Sequence, residues 1–280
     1  MIDLGELVPT RLDPSDLGGR DPAFIEAVGR PLCRWLAERY FRFEHEGIDL
    51  LPEPPFIAVT NHSGGPMLPD IWPMLAVWWD AFPIEVPSHA LVHDAAFRLP
   101  GLGNLLVRIG ALRASRANAE KVLEAGGTLL IAPGGDAEAL RSFKNRNRID
   151  FHGHSFFVEL ALRYGAPIVP VVNVGGHEAY FTLASSRRLA RWTGLERFLR
   201  IKTVPITVGL PWGIWATGLL PYLPLPTKIS YRVLEPVSVP RAPELARNAV
   251  LVNQIYDRIV GDMQKAVDDL ARRRTLPVLG

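Results

Sequence analysis

Between residues 115 and 174 the sequence switches repeatedly between helical and strand patterns, and glycine or proline marks each switch. Ser115 is placed to cap a helix that runs to residue 125, where Gly126 and Gly127 stop it. Residues 128–132 are a strand-like apolar run that ends in Pro133-Gly134-Gly135. A second helix, 155–164, stops at Gly165, and residues 167–174 form the next strand. Upstream, residues 55–59 are a short apolar run followed by Thr-Asn-His, a buried strand leading into a loop. Residues 68–80 can be helical, with Pro69 near the first turn, and residues 228–233 add a further strand. Alternating strand and helix argues for an α/β fold, a mostly parallel central sheet flanked by helices.

Amphipathic helices are expected at both ends. Over residues 23–41, Ile25, Val28, Leu32, Trp35 and Leu36 fall on one helical face, with Pro31 kinking or restarting the helix. Near the C-terminus Leu251, Ile255, Ile259, Met263, Val267 and Leu270 recur at helical spacing. The organisation that follows is an N-terminal helical segment over 1–50, able to associate with a membrane, an α/β domain over 51–240, and a C-terminal helix over 241–280 packed on that domain.

A chain of 280 residues, 48% of them hydrophobic, can bury a sizeable core. Its formal charge of +2 argues against a nucleic-acid partner. Charge is uneven, however: Arg187, Arg188, Arg191, Arg197, Arg200 and Lys202 stand together with a single acid, Glu196. That block suits anionic lipid headgroups and equally suits a solvated helix face. Residues 203–227 carry no charge and reach the roughly 20 residues of a spanning helix. Pro205, Pro211, Pro221, Pro224 and Pro226, with Gly209, Gly213 and Gly218 between them, rule out such a span in lipid. The stretch reads as strand and loop, either dipping Trp212, Trp215 and Tyr222 into a membrane interface or buried in the core. Cys33 is the only cysteine, which excludes an internal disulfide and fits a reducing compartment. Residues 1–14 lack the basic then apolar pattern of a secretory signal. His152 and His154 have no acidic or histidine partner at helical spacing, so no metal centre is expected.

The peptide from Asn61 to Asp70, Asn-His-Ser-Gly-Gly-Pro-Met-Leu-Pro-Asp, concentrates the chemistry. It begins where a strand ends, the usual place for ligands to approach an α/β sheet. His62, near neutrality, suits removal of a hydroxyl proton, and Asp70 can hold the opposite ring nitrogen. In the bland alternative His62 bonds a loop carbonyl and Asp70 caps the next helix. Other classes fit less well. No Gly-x-Ser-x-Gly elbow surrounds Ser63, no Gly-Lys-Ser/Thr follows the glycine pairs, and Gly101-Leu102-Gly103 lacks the third glycine of a dinucleotide loop.

Taken in order, these pieces resemble the glycerolipid acyltransferase superfamily, which holds the phospholipid-making His-x4-Asp enzymes and the diacylglycerol acyltransferase type 2 family. The resemblance covers about residues 55–240. Asn61-His62 through Asp70 looks like the catalytic block. Gly110-Ala-Leu-Arg113-Ala-Ser-Arg116 is similar to the second block, whose final arginine contacts the substrate or its phosphate. Ala132-Pro133-Gly134-Gly135-Asp136-Ala137-Glu138-Ala139-Leu140 is similar to the Pro-Gly-Gly-x-x-Glu-Ala/Ser-Leu of the neutral-lipid enzymes, and residues 156–170 look like the fourth block. The resemblance implies an O-acyltransferase that moves a fatty acyl group from acyl-coenzyme A or acyl carrier protein to a lipid hydroxyl. It implies no bound cofactor, His62 as base, Asp70 as its orienting acid, and Arg113, Arg116, Pro133, Gly134, Gly135 and Glu138 around the substrate. Seven residues instead of four separate His62 from Asp70, so the loop must bulge at Gly64, Gly65 and Pro66. Gly134 and Ala137 stand where the phospholipid enzymes have glutamate and arginine, which favours a neutral glyceride or alcohol acceptor. A lysophospholipid stays open, because Arg113, Arg116, Arg141, Lys144, Arg146 and Arg148 offer phosphate partners. Backbone amides near Gly134-Gly135 or Gly64-Gly65 would hold the oxyanion. The expected setting is cytoplasmic, peripheral at the inner face of a membrane. Two rivals remain: a non-catalytic lipid-binding protein, if His62 and Asp70 do not meet, and a lipase or thioesterase using Ser63.

Overall fold

The computed structural model describes residues 11–98, 101–199, 203–216 and 222–276. Its strands are β1 (Glu44–Glu46), β2 (Ile57–Thr60), β3 (Ser88–Val92), β4 (Ala111–Arg113), β5 (Thr128–Ile131), β6 (Ile168–Val174), β7 (Phe181–Ser186), β8 (Val204–Gly209), β9 (Gly213–Ala216) and β10 (Ser230–Val233). The main sheet runs β1-β10-β6-β2-β5-β3-β4. Pairing is parallel from β6 through β4, whereas β10 lies antiparallel to β6 and carries β1 at the edge. β2, β5 and β6 are buried along their whole length, which explains why they read as unbroken apolar runs and not as alternation.

Helices cover both faces. On one side Arg116–Glu124, Phe156–Tyr164 and Ala249–Arg273 pack Val122, Leu160, Ile259 and Met263 against Ile57, Leu129 and Ile168. The local signals act as expected. Ser115 Oγ accepts from the Asn118 amide, Gly165 ends its helix at φ 68°, and Asn248 caps the C-terminal helix by accepting from two amides. Leu160 is fully buried in this layer, so Leu160→Ala is expected to lower the unfolding free energy by about 2–5 kcal/mol. Urea denaturation measures it; a change within experimental error would show that this helix is not part of the cooperative core.

The other face is covered by Ile71–Ala81 and by a helical run from Pro22 to Tyr40 that alternates α and π turns. Pro31 sits in the first turn of the α segment Arg30–Trp35, directly after a π turn, so the helix restarts there. The stripe singled out in the sequence is split between the core and the surface. Ile25, Gly29, Cys33 and Ala37 are buried, while Val28, Leu32 and Trp35 are exposed. Small residues let this helix lie close to Trp79, whose ring would stand 3.3 Å from a Cβ on Gly29, a tight contact. The segment 1–50 also supplies β1 to the sheet, so it is not purely helical.

β7, β8 and β9 form a second, antiparallel sheet out of the uncharged stretch and the residues before it. Trp212 is half exposed there, but Trp215 and Tyr222 point inward, against the interfacial reading of those two. Residues 1–10, Arg200, Lys202, Gly218 and Pro221 lie outside the described residues. Among the described residues no helix is long and apolar enough to cross a membrane.

Candidate active site

At its C-terminal end β2 runs into a loop that is tied to its neighbour β6 by one asparagine on each side. Asn61 Nδ2 donates to the Asn173 carbonyl at 2.9 Å, and the Asn173 amide donates back to Asn61 Oδ1 at 2.8 Å. Asn173 Nδ2 donates to the Asn61 carbonyl at 2.7 Å, and Ser63 Oγ donates to Asn173 Oδ1 at 2.5 Å. All three side chains are buried, so each bond is shielded from competing water. His62 lies between two anchored residues. Sequence reasoning passed over Asn173; its signal was a lone asparagine closing an otherwise apolar strand.

The loop then bulges. Gly64 and Gly65 adopt φ of 95° and 72°, and a Cβ on Gly65 would collide with the Tyr180 ring. The Tyr222 hydroxyl donates to the Gly64 carbonyl and the Tyr231 hydroxyl to the Asp70 carbonyl, fixing both ends of the excursion. The bulge returns Asp70 to the histidine: Asp70 Oδ2 lies 2.8 Å from His62 Nδ1 and accepts the Ser63 amide at 2.7 Å. Asp70 directly precedes the helix Ile71–Ala81, yet its side chain makes no cap, so the bland alternative does not describe it. With Nδ1–H given to Asp70, the lone pair of the neutral ring resides on Nε2, the arrangement of a general base. Burial alone would lower the His62 pKa. The Asp70 carboxylate, with Glu138 and Asp136 further off, outweighs burial and holds it above the ordinary histidine value.

The loop after β5, the strand beside β2, supplies the second wall. Glu138 folds back over Gly134, where a Cβ would strike its carboxylate. Its Oε2 accepts the His62 amide at 3.0 Å, and its Oε1 accepts the Asp150 amide at 3.2 Å and faces Arg141 Nη2 at 3.4 Å. Glu138 is 1% exposed. Burial pushes its carboxyl up to about 7 against the pull of Arg141 and of the two amides. The Pro133 carbonyl receives His154 Nδ1 at 2.9 Å, and the Gly135 amide donates to the Ala132 carbonyl, so that amide is already engaged. His177 is buried beside this cluster, where burial and then Arg141 and His62 push its pKa down to about 3, leaving the ring neutral.

Arg113 and Arg116 stand apart. β4 is three strands from β2, about 14 Å at ordinary strand spacing. Arg113 pairs with Asp94 at 2.9 Å, and Arg116 pairs with Glu159 at 2.8 Å while lying over the Phe156 ring. The loop cations divide: Arg141 is buried against Glu138 and Arg146 faces Glu178 at 3.3 Å, while Lys144 and Arg148 are exposed. His62, Asp70, Glu138 and the Pro133–Gly134 turn thus meet at the ends of β2 and β5, and the two arginines of the second block do not join them.

Comparison with known proteins places this geometry in context. The diacylglycerol acyltransferase family model matches residues 78–267, a stretch that begins beyond His62 and Asp70. An uncharacterized protein of Mycobacterium tuberculosis is 34% identical over 224 residues, 78% of this chain and 58% of that protein. Human diacylglycerol O-acyltransferase 2 is 28% identical over 149 residues, 52% of this chain and 38% of its own length. The chain therefore spans little more than half the length of the mycobacterial relative. Among solved structures, the 1-acyl-sn-glycerophosphate acyltransferase of Thermotoga maritima superposes with a TM-score of 0.53 at 19% identity, covering 91% of this chain and 81% of that one. That likeness bears on the fold.

Proposed function

The chain belongs to the diacylglycerol acyltransferase family, and from that premise we propose that it is an O-acyltransferase carrying a fatty acyl group from a thioester to a lipid hydroxyl. The observation that carries this reading is the 2.8 Å contact between His62 Nδ1 and Asp70 Oδ2 at the end of β2. In the proposed reaction the acceptor hydroxyl gives its proton to His62 Nε2 as its oxygen attacks the thioester carbonyl. Asp70 stabilises the imidazolium. The tetrahedral intermediate collapses, the ester forms, and the imidazolium returns the proton to the departing thiolate. The donor is acyl-coenzyme A or acyl carrier protein, whose phosphopantetheine thioester is common to both. The lipid-binding rival would be favoured by a separated pair, and the 2.8 Å contact weighs against it. The serine rival is weakened by the environment of Ser63, whose hydroxyl is buried and donated to Asn173.

A neutral acceptor fits this site better than a phosphate-bearing one. Gly134 and Ala137 carry no charge, and Arg113, Arg116, Arg141 and Arg146 already face carboxylates. In competition assays with palmitoyl-coenzyme A, diacylglycerol or a long-chain alcohol is expected to be acylated ahead of lysophosphatidic acid. The reverse preference would overturn the neutral-acceptor reading and leave the acyltransferase reading intact.

The same proposal includes peripheral attachment to an anionic membrane, at the inner face. An apolar band crosses the surface. Trp35 stacks near Tyr40, whose hydroxyl donates to the Pro224 carbonyl, and the next residue back, Leu223, bonds Leu210. Leu210, Trp212, Ile214 and Leu223 are all at least half exposed, as is Trp35. Trp192 is 85% exposed on a helix whose Arg187, Arg188 and Arg191 would face headgroups. Flotation with phosphatidylglycerol vesicles is expected to carry the protein upward at low salt, less at high salt, and less again after Trp35→Ser with Trp212→Ser. Protein left in the soluble fraction at low salt would contradict attachment.

A further inference from the structure

We propose that Glu138 is a positioning residue for His62: its carboxylate holds the histidine main chain in place and lends a second negative charge to the imidazolium formed during transfer. The proposal rests on His62 acting as the base. Three observations lead to it. Glu138 Oε2 accepts the His62 amide at 3.0 Å, so the carboxylate sits one peptide unit from the reacting ring. Its fold-back is possible only because Gly134 has no Cβ, which gives the Pro-Gly-Gly-x-x-Glu spacing a physical reason. The carboxylate thereby fills the space that a side chain on residue 134 would take. A charge that the sequence had seemed to lose comes instead from one helical turn later, and it is turned toward His62 and away from solvent.

Two carboxylates therefore serve one histidine from different sides, Asp70 at the ring and Glu138 at the main chain. Around Glu138 stand Arg141 on its own turn, Asp150 from the following loop and Tyr256 from the C-terminal helix. Around His62 stand Asp136 and His177, the latter neutral. Burial places the Glu138 ionisation at about 7, and His62 is held above its ordinary value in part by Glu138 itself, so the two protons leave as a coupled pair. The base is competent when His62 is neutral and Glu138 ionised. On the acid side, log kcat of the wild type is expected to climb with a slope above one.

Glu138→Gln removes the charge and keeps an acceptor for one of the two amides, its oxygen taking either the His62 or the Asp150 N–H. It is expected to lower kcat about 10- to 100-fold with little change in KM, to reduce the acid-side slope to one, and to lower the titration midpoint of His62. The last readout comes from histidine-labelled protein by NMR, assigned with His62→Gln, and needs no turnover. It therefore decides the role of Glu138 even if the wild type forms no ester, an outcome that would count against the acyltransferase reading alone. Should Glu138→Gln fail to fold, Gly134→Ala displaces the same carboxylate and is expected to lower the His62 midpoint likewise. An unchanged His62 titration and an unchanged slope in a folded variant would make Glu138 a structural group only and overturn the proposal.

Discussion

Replacing His62 with alanine is expected to remove roughly 10² to 10⁴ of the acyl-transfer rate while leaving the protein folded. The rate falls because no other group takes the acceptor proton: Ser63 is held by Asn173, and Glu138 is covered by main-chain amides and Arg141. The fold persists because alanine keeps the main-chain amide that bonds Glu138, and Asp70 keeps the Ser63 amide. What is lost is one partner of a buried carboxylate, a cost of about 1–3 kcal/mol. Circular dichroism and urea unfolding check the fold, and product mass spectrometry follows the rate. A folded His62→Ala that still makes ester at the wild-type rate would remove the histidine from the mechanism.

Asp70→Asn is expected to be nearly as damaging, at about 10²–10³-fold, and to leave a signature in pH. The asparagine oxygen that replaces Oδ2 still accepts the Ser63 amide and faces Nδ1, but the negative charge that stabilises the imidazolium is gone. In the wild type Asp70 outweighs the burial that would lower the His62 pKa, so the ring is held above its ordinary value of 6.5. Since the base must be neutral, the rate should rise with pH through a midpoint above that value. Without the carboxylate, burial dominates and the midpoint should move to lower pH even as the plateau drops. A midpoint that stays put in Asp70→Asn would mean that the titrating group is not His62.

Much of this arrangement was legible in the amino-acid sequence because local chemistry controls it. The strands β2, β5 and β6 are apolar on both faces, and Ser115, Gly126 and Gly165 mark helix ends through caps and stops that depend on adjacent residues. The His62–Asp70 pair was legible for a similar reason: both partners lie in one loop, and Gly64 and Gly65 announce the bulge between them. Less visible were features set by distant contacts. Glu138 reads as a helix residue near substrate, since its partner is a main-chain amide 76 positions away and a backbone group has no sequence signature. The packed face of the N-terminal helix was not visible in its most apolar stripe. Its packed face is made of Gly29, Cys33 and Ala37, because closeness to Trp79 counted for more than side-chain size. β1, β3 and β4 are too short, or too mixed in composition, to stand out. Arg113 and Arg116 entered by motif resemblance, and their ion pairs to Asp94 and Glu159 depend on elements that the motif does not contain.

The most direct measurement is the balance of products from the wild-type protein given palmitoyl-coenzyme A and a diacylglycerol, with free thiol, free fatty acid and triacylglycerol quantified together. Acyl transfer from a thioester to a lipid hydroxyl requires ester and thiol in equal amounts and little fatty acid. Thiol matched by fatty acid, with no ester on any neutral or phosphorylated acceptor supplied, would contradict it and make water the acceptor.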